Sequence, residues 1–379
     1  MQTGTTLRPR NNLGYVALGV LALALLTLSF VSLLDLRTTK TAPASVATTP
    51  KQGIAYFEFG SDADTLWLAD PAKPSKREKI MVAPHAVDFG VIPSLAPGGA
   101  RFAYTALSPE MKAPSVDAPA ELWLASLDGG KPVRIARGVD LLVAPVWSRD
   151  GGSVVVRRSG GSAYELLRVD VASGVMTTVV TSGEAVFPLA YAADGGLLYV
   201  QLTQQTGSTL MAADAAGKTR VVAALSEGLT RDWVLSPAGD KLAYLEMTLT
   251  TERMASRARV LDLATGAITP AGDENADAFR PVWRKDGTLV VGRLAAGEKS
   301  GGMVAGGTAL AGPKRGFDVP LAAGSNAAST GSGQAYIAQS FDGSSVRDPG
   351  ASVLTLVAPS GEHVTIATGE VTFLGWIEP

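Results

Sequence analysis

The sequence predicts an all-β fold: a β-propeller of four-stranded blades, preceded by a single transmembrane helix. Three observations predict it. A strand–turn–strand unit, typified by Pro145-Val146-Trp147-Ser148-Arg149-Asp150-Gly151-Gly152-Ser153-Val154-Val155-Val156, recurs about every 45 residues from residue 53 onward. Each copy joins an apolar run to a β-branched run through Asp-Gly or a similar pair, the pattern of a hairpin. A hairpin is marginal alone, so a series at fixed spacing points to stacked units, for which radial blades are the common solution. The third observation is one uncharged apolar stretch near the N-terminus.

In chain order, residues 1–13 read as a short tail. Gly14 to Leu34 carries no charge and, at ~1.5 Å per residue, is long enough to cross a ~30 Å hydrocarbon core. A cleaved signal peptide is the alternative, with small-residue sites at Ala42-Pro43-Ala44 and Ser45-Val46-Ala47, but so long an apolar core favours an uncleaved anchor. Arg8 and Arg10 precede the stretch while Arg37 and Lys40 follow it, so charge bias orients it weakly. A tail inside and a large domain outside the cytoplasm is the ordinary outcome. Residues 35–52, rich in Thr, Ala and Pro, read as a linker, and the propeller runs from 53 to 379.

Within it two columns align. Ala55-Tyr56, Ala103-Tyr104, Val155-Val156, Leu198-Tyr199, Ala243-Tyr244, Val290-Val291 and Ala335-Tyr336 occupy equivalent slots in a second strand, which gives seven blades. Large apolar residues three positions before the turn form the other column: Leu95, Trp147, Tyr191, Leu235, Trp283 and Trp376. They are expected to pack between adjacent blades, the core that such a fold possesses. The count falls to six if the Gly- and Ala-rich stretch from Gly292 to Ser332 is an irregular excursion. Val371 to Glu378 matches an innermost strand, whereas Gly53 begins directly at a second strand. One blade is therefore expected to be built from both ends of the chain.

These units, together with Leu235-Ser236-Pro237-Ala238-Gly239-Asp240-Lys241-Leu242-Ala243-Tyr244 and Pro281-Val282-Trp283-Arg284-Lys285-Asp286-Gly287, resemble the repeats of TolB-type β-propellers, which are related to WD-repeat blades. The resemblance covers nearly all of residues 53–379. It implies a binding or scaffolding surface, but not the partners of TolB, which has an additional α/β domain and is usually described with six blades.

Composition narrows the function. The chain has 379 residues, a net charge of −2 and no cysteine. A near-neutral balance without a long basic block gives no footprint for nucleic acid, and the lack of cysteine removes disulfides, thiolate metal sites and thiol nucleophiles. No G-x-S-x-G, H-E-x-x-H or phosphate-loop motif is present. The stretch Gly301 to Gly307 is Gly-rich but follows no strand–helix pattern, so it reads as a degenerate blade. His85 and His363 read as surface residues, and the acidic groups Asp62/Asp64 and Asp273/Glu274/Asp277 as solvated turn acids rather than a Ca²⁺ loop. No cofactor and no metal are expected.

Two sets of candidates remain. Asp88, Asp140, Arg231, Asp232 and Arg280 fall at or just before successive innermost strands and would ring one mouth of the central channel, either binding a ligand or pairing among themselves. Connections after first and third strands are short, whereas those after second and fourth strands read as longer: Ser108 to Pro119, Thr248 to Ser256, Ser340 to Gly350, Ala83 to Asp88 and Gly272 to Ala278. Variable loops on a rigid scaffold are where binding residues gather, which makes Glu110, Met111, Lys112, Glu252, Arg253, Arg347 and Asp348 contact candidates. The expected function is a membrane-anchored, extracytoplasmic module of the cell envelope that binds a protein partner or senses a ligand on its long-loop face. That face is expected to look away from the membrane. The alternatives are a propeller hydrolase or lyase acting on envelope glycans at the channel mouth, with two carboxylates ~5–10 Å apart, and an assembly subunit held by its helix.

Overall fold

The structure is a computed structural model that describes residues 51–203, 207–249, 254–295, 298, 300–310, 312–313, 315–324, 335–343 and 350–377. The apolar stretch 14–34 and linker residues 35–50 lie outside them. Among the described residues no helix is long and apolar enough to cross a membrane.

Seven four-stranded antiparallel sheets form the blades, with their strands named from the innermost outwards. Blade 1 is β28 (Val371–Ile377), β1 (Gly53–Glu58), β2 (Ala63–Asp70) and β3 (Lys73–Pro84). Blade 2 is β4 (Ile92–Leu95), β5 (Arg101–Ala106), β6 (Ala120–Ser126) and β7 (Val133–Val139). Blade 3 is β8 (Val146–Trp147), β9 (Ser153–Gly160), β10 (Ala163–Asp170) and β11 (Met176–Ser182). Blade 4 is β12 (Ala185–Tyr191), β13 (Leu197–Thr203), β14 (Gly207–Ala213) and β15 (Thr219–Ser226). Blade 5 is β16 (Leu229–Leu235), β17 (Lys241–Leu249), β18 (Met254–Asp262) and β19 (Ile268–Pro270). Blade 6 is β20 (Ala276–Trp283), β21 (Leu289–Ala295), β22 (Gly302–Ala305) and β23 (Thr308–Ala309). Blade 7 is β24 (Phe317–Ala323), β25 (Tyr336–Phe341), β26 (Ser352–Val357) and β27 (His363–Thr368).

The seven-blade expectation holds, and so does the closure. β28 pairs with β1, placing Ile54 opposite Trp376 and Glu58 opposite Val371. Neighbouring inner strands touch all the way round, from β28 through β4, β8, β12, β16 and β20 to β24 and back. They enclose a central channel.

The core lies between blades because strand residues alternate sides. On β1, Ala55 and Phe57 face Phe102 and Tyr104 of blade 2, while Ile54 and Tyr56 face Ile337 and Leu354 of blade 7. This is why an adjacent Ala-Tyr pair can recur in four of the second strands: the two residues serve different interfaces. The aromatic column acts across the same seams. Trp147 Nε1 donates to the Ser94 carbonyl of blade 2 at 3.0 Å, and Trp283 Nε1 to the Val234 carbonyl of blade 5 at 3.0 Å.

The turns differ in detail from two-residue Asp-Gly hairpins. Gly151 N–H donates to Ser148 O at 2.9 Å, Gly151 takes φ 67°, and Asp150 keeps a negative φ. Asp150 instead caps the loop, accepting from Ser148 Oγ and the Gly152 amide. The loop is thus a β-turn followed by a left-handed glycine, a longer hairpin closure.

The long-loop face is also less uniform than expected. Connections 107–119 and 342–351 are long, but β17 and β18 extend to Leu249 and from Met254, so Thr248, Leu249 and Met254 to Ser256 of the expected loop belong to strands, and 250–253 lie outside the described residues. After fourth strands, 183–184, 227–228 and 369–370 are two-residue links, whereas 85–91, 140–145 and 310–316 are long.

Candidate functional site

Five of the seven channel-lining strands share one irregularity, which β4 and β8 lack. The ladder slips between Pro188 and Ala190 on β12, Arg231 and Val234 on β16, Phe279 and Val282 on β20, and Pro320 and Ala322 on β24. β28 slips at the same level, opposite Ala55 and Tyr56. A bulge frees a residue from the ladder and re-aims its side chain. In blades 4, 7 and 1 one residue is freed, Leu189, Leu321 or Leu374, whereas in the adjacent blades 5 and 6 two are freed, Asp232 with Trp233 and Arg280 with Pro281. Asp232 takes φ 54°; with Asp88, at φ 66°, it accounts for the left-handed non-glycine residues among those described. Aspartate tolerates this region better than most residues, though at a cost that packed surroundings must hold in place.

Arg280 is open to water yet surrounded by protein, as befits a side chain projecting into a channel. Burial pushes its guanidinium pKa below the ordinary value, and the charge of Asp232 pulls the other way. Among the described residues it makes no ion pair within 4 Å. Arg231, exposed, places Nε 3.8 Å from Asp232 Oδ2 and 3.3 Å from Met247 Sδ. Beside them is an aromatic pair that sequence reading did not single out: Phe187 and Trp233, centroids 5.6 Å apart, with Trp233 Nε1 held by Thr230 Oγ1 at 2.8 Å. The Arg157 guanidinium sits 4.5 Å over Phe187.

The structure thus brings Arg231, Asp232 and Arg280 together and separates the other two ring candidates from them. Asp140 turns to β9, where it pairs with Arg157 Nε and accepts from Ser159 N at 2.8 Å and Ser159 Oγ at 2.7 Å. Asp88 is exposed on loop 85–91, its amide bonded to Ser61 O. On loop 107–119, Glu110 and Lys112 are exposed, whereas Met111 packs against the core between blades 2 and 3 and anchors the loop. Glu252, Arg253, Arg347 and Asp348 lie outside the described residues.

Two surface assignments are corrected. His85 and Asp64 are 1% exposed. His85 Nε2 lies 2.9 Å from Asp64 Oδ1 and Nδ1 2.8 Å from the Ala86 carbonyl, with Phe59 stacked on the ring. Asp64 also accepts from the Gly60 and Val91 amides at 3.2 and 2.9 Å. The pair is a buried strut that fastens loop 85–91 to blade 1. The second acidic group is not free in solvent either: Asp277 pairs with Arg257, Glu274 with Arg259 and Asp273 with Arg293. His363 is half-buried at the start of the edge strand β27. Among the described residues no three His, Cys, Asp or Glu side chains are grouped to hold a metal ion.

No protein-family model matches the chain, and no curated protein matches it. Solved structures do. TolB from Acinetobacter baumannii is 16% identical over 86% of this chain and 66% of its own, with a TM-score of 0.50, so the chain spans just under two thirds of that protein. The propeller domain of the trilobed protease from Pyrococcus furiosus is 12% identical over 84% of this chain and 97% of its own, TM-score 0.51. It is described as having an open velcro topology, whereas in this chain β28 closes the ring onto β1. An oligogalacturonate lyase in complex with manganese is 15% identical over 85% of this chain and 86% of its own, TM-score 0.52. At such identities the likeness is one of fold, and the fold is that of a TolB-like, seven-bladed β-propeller of four-stranded blades.

Proposed function

We propose that the protein is a membrane-anchored, extracytoplasmic binding module of the cell envelope, which takes a protein partner on its long-loop face with an anionic group seated at the channel mouth. The observation that carries this is Arg280: a guanidinium fixed on a bulge, crowded by protein and without an ion-pair partner of its own among the described residues. Such a group is stabilised by an incoming carboxylate, which it can bind through two parallel hydrogen bonds. Asp232, on the neighbouring bulge, keeps the site from being purely cationic and favours a partner that presents both charges. Exposed Glu110 and Lys112 would extend the contact, and the apolar stretch 14–34 would supply the anchor. The lyase among the structural neighbours suggests a second activity class. The acid at this mouth, Asp232, however, has the Arg231 guanidinium beside it at 3.8 Å.

The test is quantitative capture from detergent-solubilised envelopes with the full chain as bait. Arg280→Ala is expected to weaken capture at unchanged thermal stability, and replacement of 108–119 by a short Gly-Ser turn to weaken it with a Tm lowered by the loss of the Met111 contact. If both leave capture intact while Arg149→Glu on the short-turn face abolishes it, the working face is the opposite one.

A further inference from the structure

The seven outer strands are chemically unequal. They carry seven Lys and Arg residues, and six of them lie on two adjacent blades: Lys73, Lys76, Arg77 and Lys79 on β3, Arg134 and Arg137 on β7. The seventh is Arg220 on β15, whereas β11, β19, β23 and β27 have none. Glu78 is the one acid on the two basic strands. The two rims adjoin, since the turn at Gly129, next to Lys131, approaches the Ile80 carbonyl of β3. Arg77 pairs with Glu58, and Arg134 and Arg137 both pair with Glu121, whereas Lys73, Lys76 and Lys79 are exposed and, among the described residues, have no acidic partner within 4 Å.

Charge on an edge strand can serve merely to block edge-to-edge pairing. That need is the same for all seven outer strands, so it does not account for a rim charged on two blades and neutral on most others. Position does. The chain enters the propeller through Lys51, whose ammonium bonds Glu78 of β3 at 2.7 Å, directly after the linker that follows the apolar stretch 14–34. The basic rim therefore borders the point where the chain enters the propeller, and cations within about 10 Å of an anionic surface are attracted to it at moderate salt.

We infer that the outer edges of blades 1 and 2 form a docking surface for anionic phospholipid headgroups of the bilayer that holds the anchor. The inference rests on the anchor proposed above. It changes the expected posture: the disc stands on its rim, so that neither face is pressed to the membrane and both channel mouths stay open.

The test uses the full chain in nanodiscs of phosphatidylcholine alone or with phosphatidylglycerol, read by lysine acylation and mass spectrometry. Lys73, Lys76 and Lys79 are expected to be labelled several-fold more slowly in the anionic discs, with protection lost at about 0.5 M salt, where screening is short-ranged. Lys218 and Lys241, away from the rim, should not change. Equal labelling in both discs overturns the inference, as does protection that ignores salt. A chain that fails to enter discs refutes the anchor instead. The rim is then read by cosedimentation of the same chain with phosphatidylglycerol vesicles. Binding that is lost in a Lys73→Glu, Lys76→Glu, Lys79→Glu variant supports the rim; binding that is absent or unaffected by the variant overturns it.

Discussion

Blade 1 and the region of blades 6 and 7 show two ways of filling the same frame. Blade 1 is assembled from both ends of the chain, yet its outer strand is twelve residues long and its interface with blade 2 holds fourteen buried apolar residues among those described. Blade 6 comes from continuous sequence and has outer strands of four and two residues. Its interface with blade 5 holds four buried apolar residues among those described, and a groove of about 570 Å³ opens beside β22. Their buried acids differ in the same sense. Asp64 is satisfied by two amides and His85, whereas Asp318, at the seam of blades 6 and 7, receives among the described residues one hydrogen bond, from Ser340 Oγ, and its Oδ2 accepts none from them. The difference teaches that apolar packing is heaviest from blade 1 to blade 3 and thins towards blades 5 to 7, and that a blade inside the ring, held by neighbours on both sides, can be thin.

The sharpest way to break this contrast is to remove the closure. A chain ending before Val371 loses β28 and leaves the inner edge of β1 unpaired, so its expected state is one without a cooperative melting transition and prone to aggregate. Deleting β23 should instead move Tm by no more than a few degrees. Equal melting of the intact and C-terminally truncated chains would show that the shared blade does not hold the ring.

Next in size is the strut. Asp64→Ala leaves His85 and two amides facing a void, and is expected to cost about 3 kcal/mol, read by urea unfolding. Asp273→Ala in blade 6 removes an exposed pair with Arg293 at 3.7 Å and should cost under about 1 kcal/mol. Similar costs for the two would remove the distinction between the regions.

Much of this architecture is legible in the sequence because period-two packing writes itself into composition. Ala55-Tyr56 and its counterparts mark the second strands, and the match of Val371 to Glu378 to an inner strand reveals the closure. The strut is not legible, since Asp64 and His85 meet only through the β2–β3 register, which sets Ala63 against Pro84; read singly, each is a polar residue near a turn. Arg231, Asp232 and Arg280 are found by their place in the repeat, but the bulges that aim them are slips of pairing and leave no compositional trace. Thr248 and Ser256 read as loop for the same reason, although they belong to β17 and β18.

The smallest effect concerns protons and separates Asp318 from the turn acids. Asp150, held by Ser148 Oγ and the Gly152 amide, and Asp170, held by Ser173 Oγ and its amide, lie below the usual carboxylate range. Asp262 is held down by the Thr265 amide and hydroxyl, and Asp286 by the Thr288 amide. A carboxyl whose pKa is lower in the folded state contributes stability that is present above its unfolded value near 4 and is lost as pH falls through the folded value, so Tm should decline below about pH 4. Asp318 has the opposite sign. Burial raises its pKa, opposed by the Ser340 hydrogen bond and by the charge of His363, so folding favours its protonated form and its ionisation counts against stability as pH rises. Asp318→Asn keeps an oxygen for Ser340 and removes the charge. Its expected result is a Tm a few degrees above that of the unsubstituted chain at neutral pH, an advantage that vanishes at acid pH, where Asp318 is neutral. Lower stability of Asp318→Asn at neutral pH would mean that the blade 6–7 seam depends on this carboxylate as blade 1 depends on Asp64, and the contrast between the regions would then lie in strand length alone.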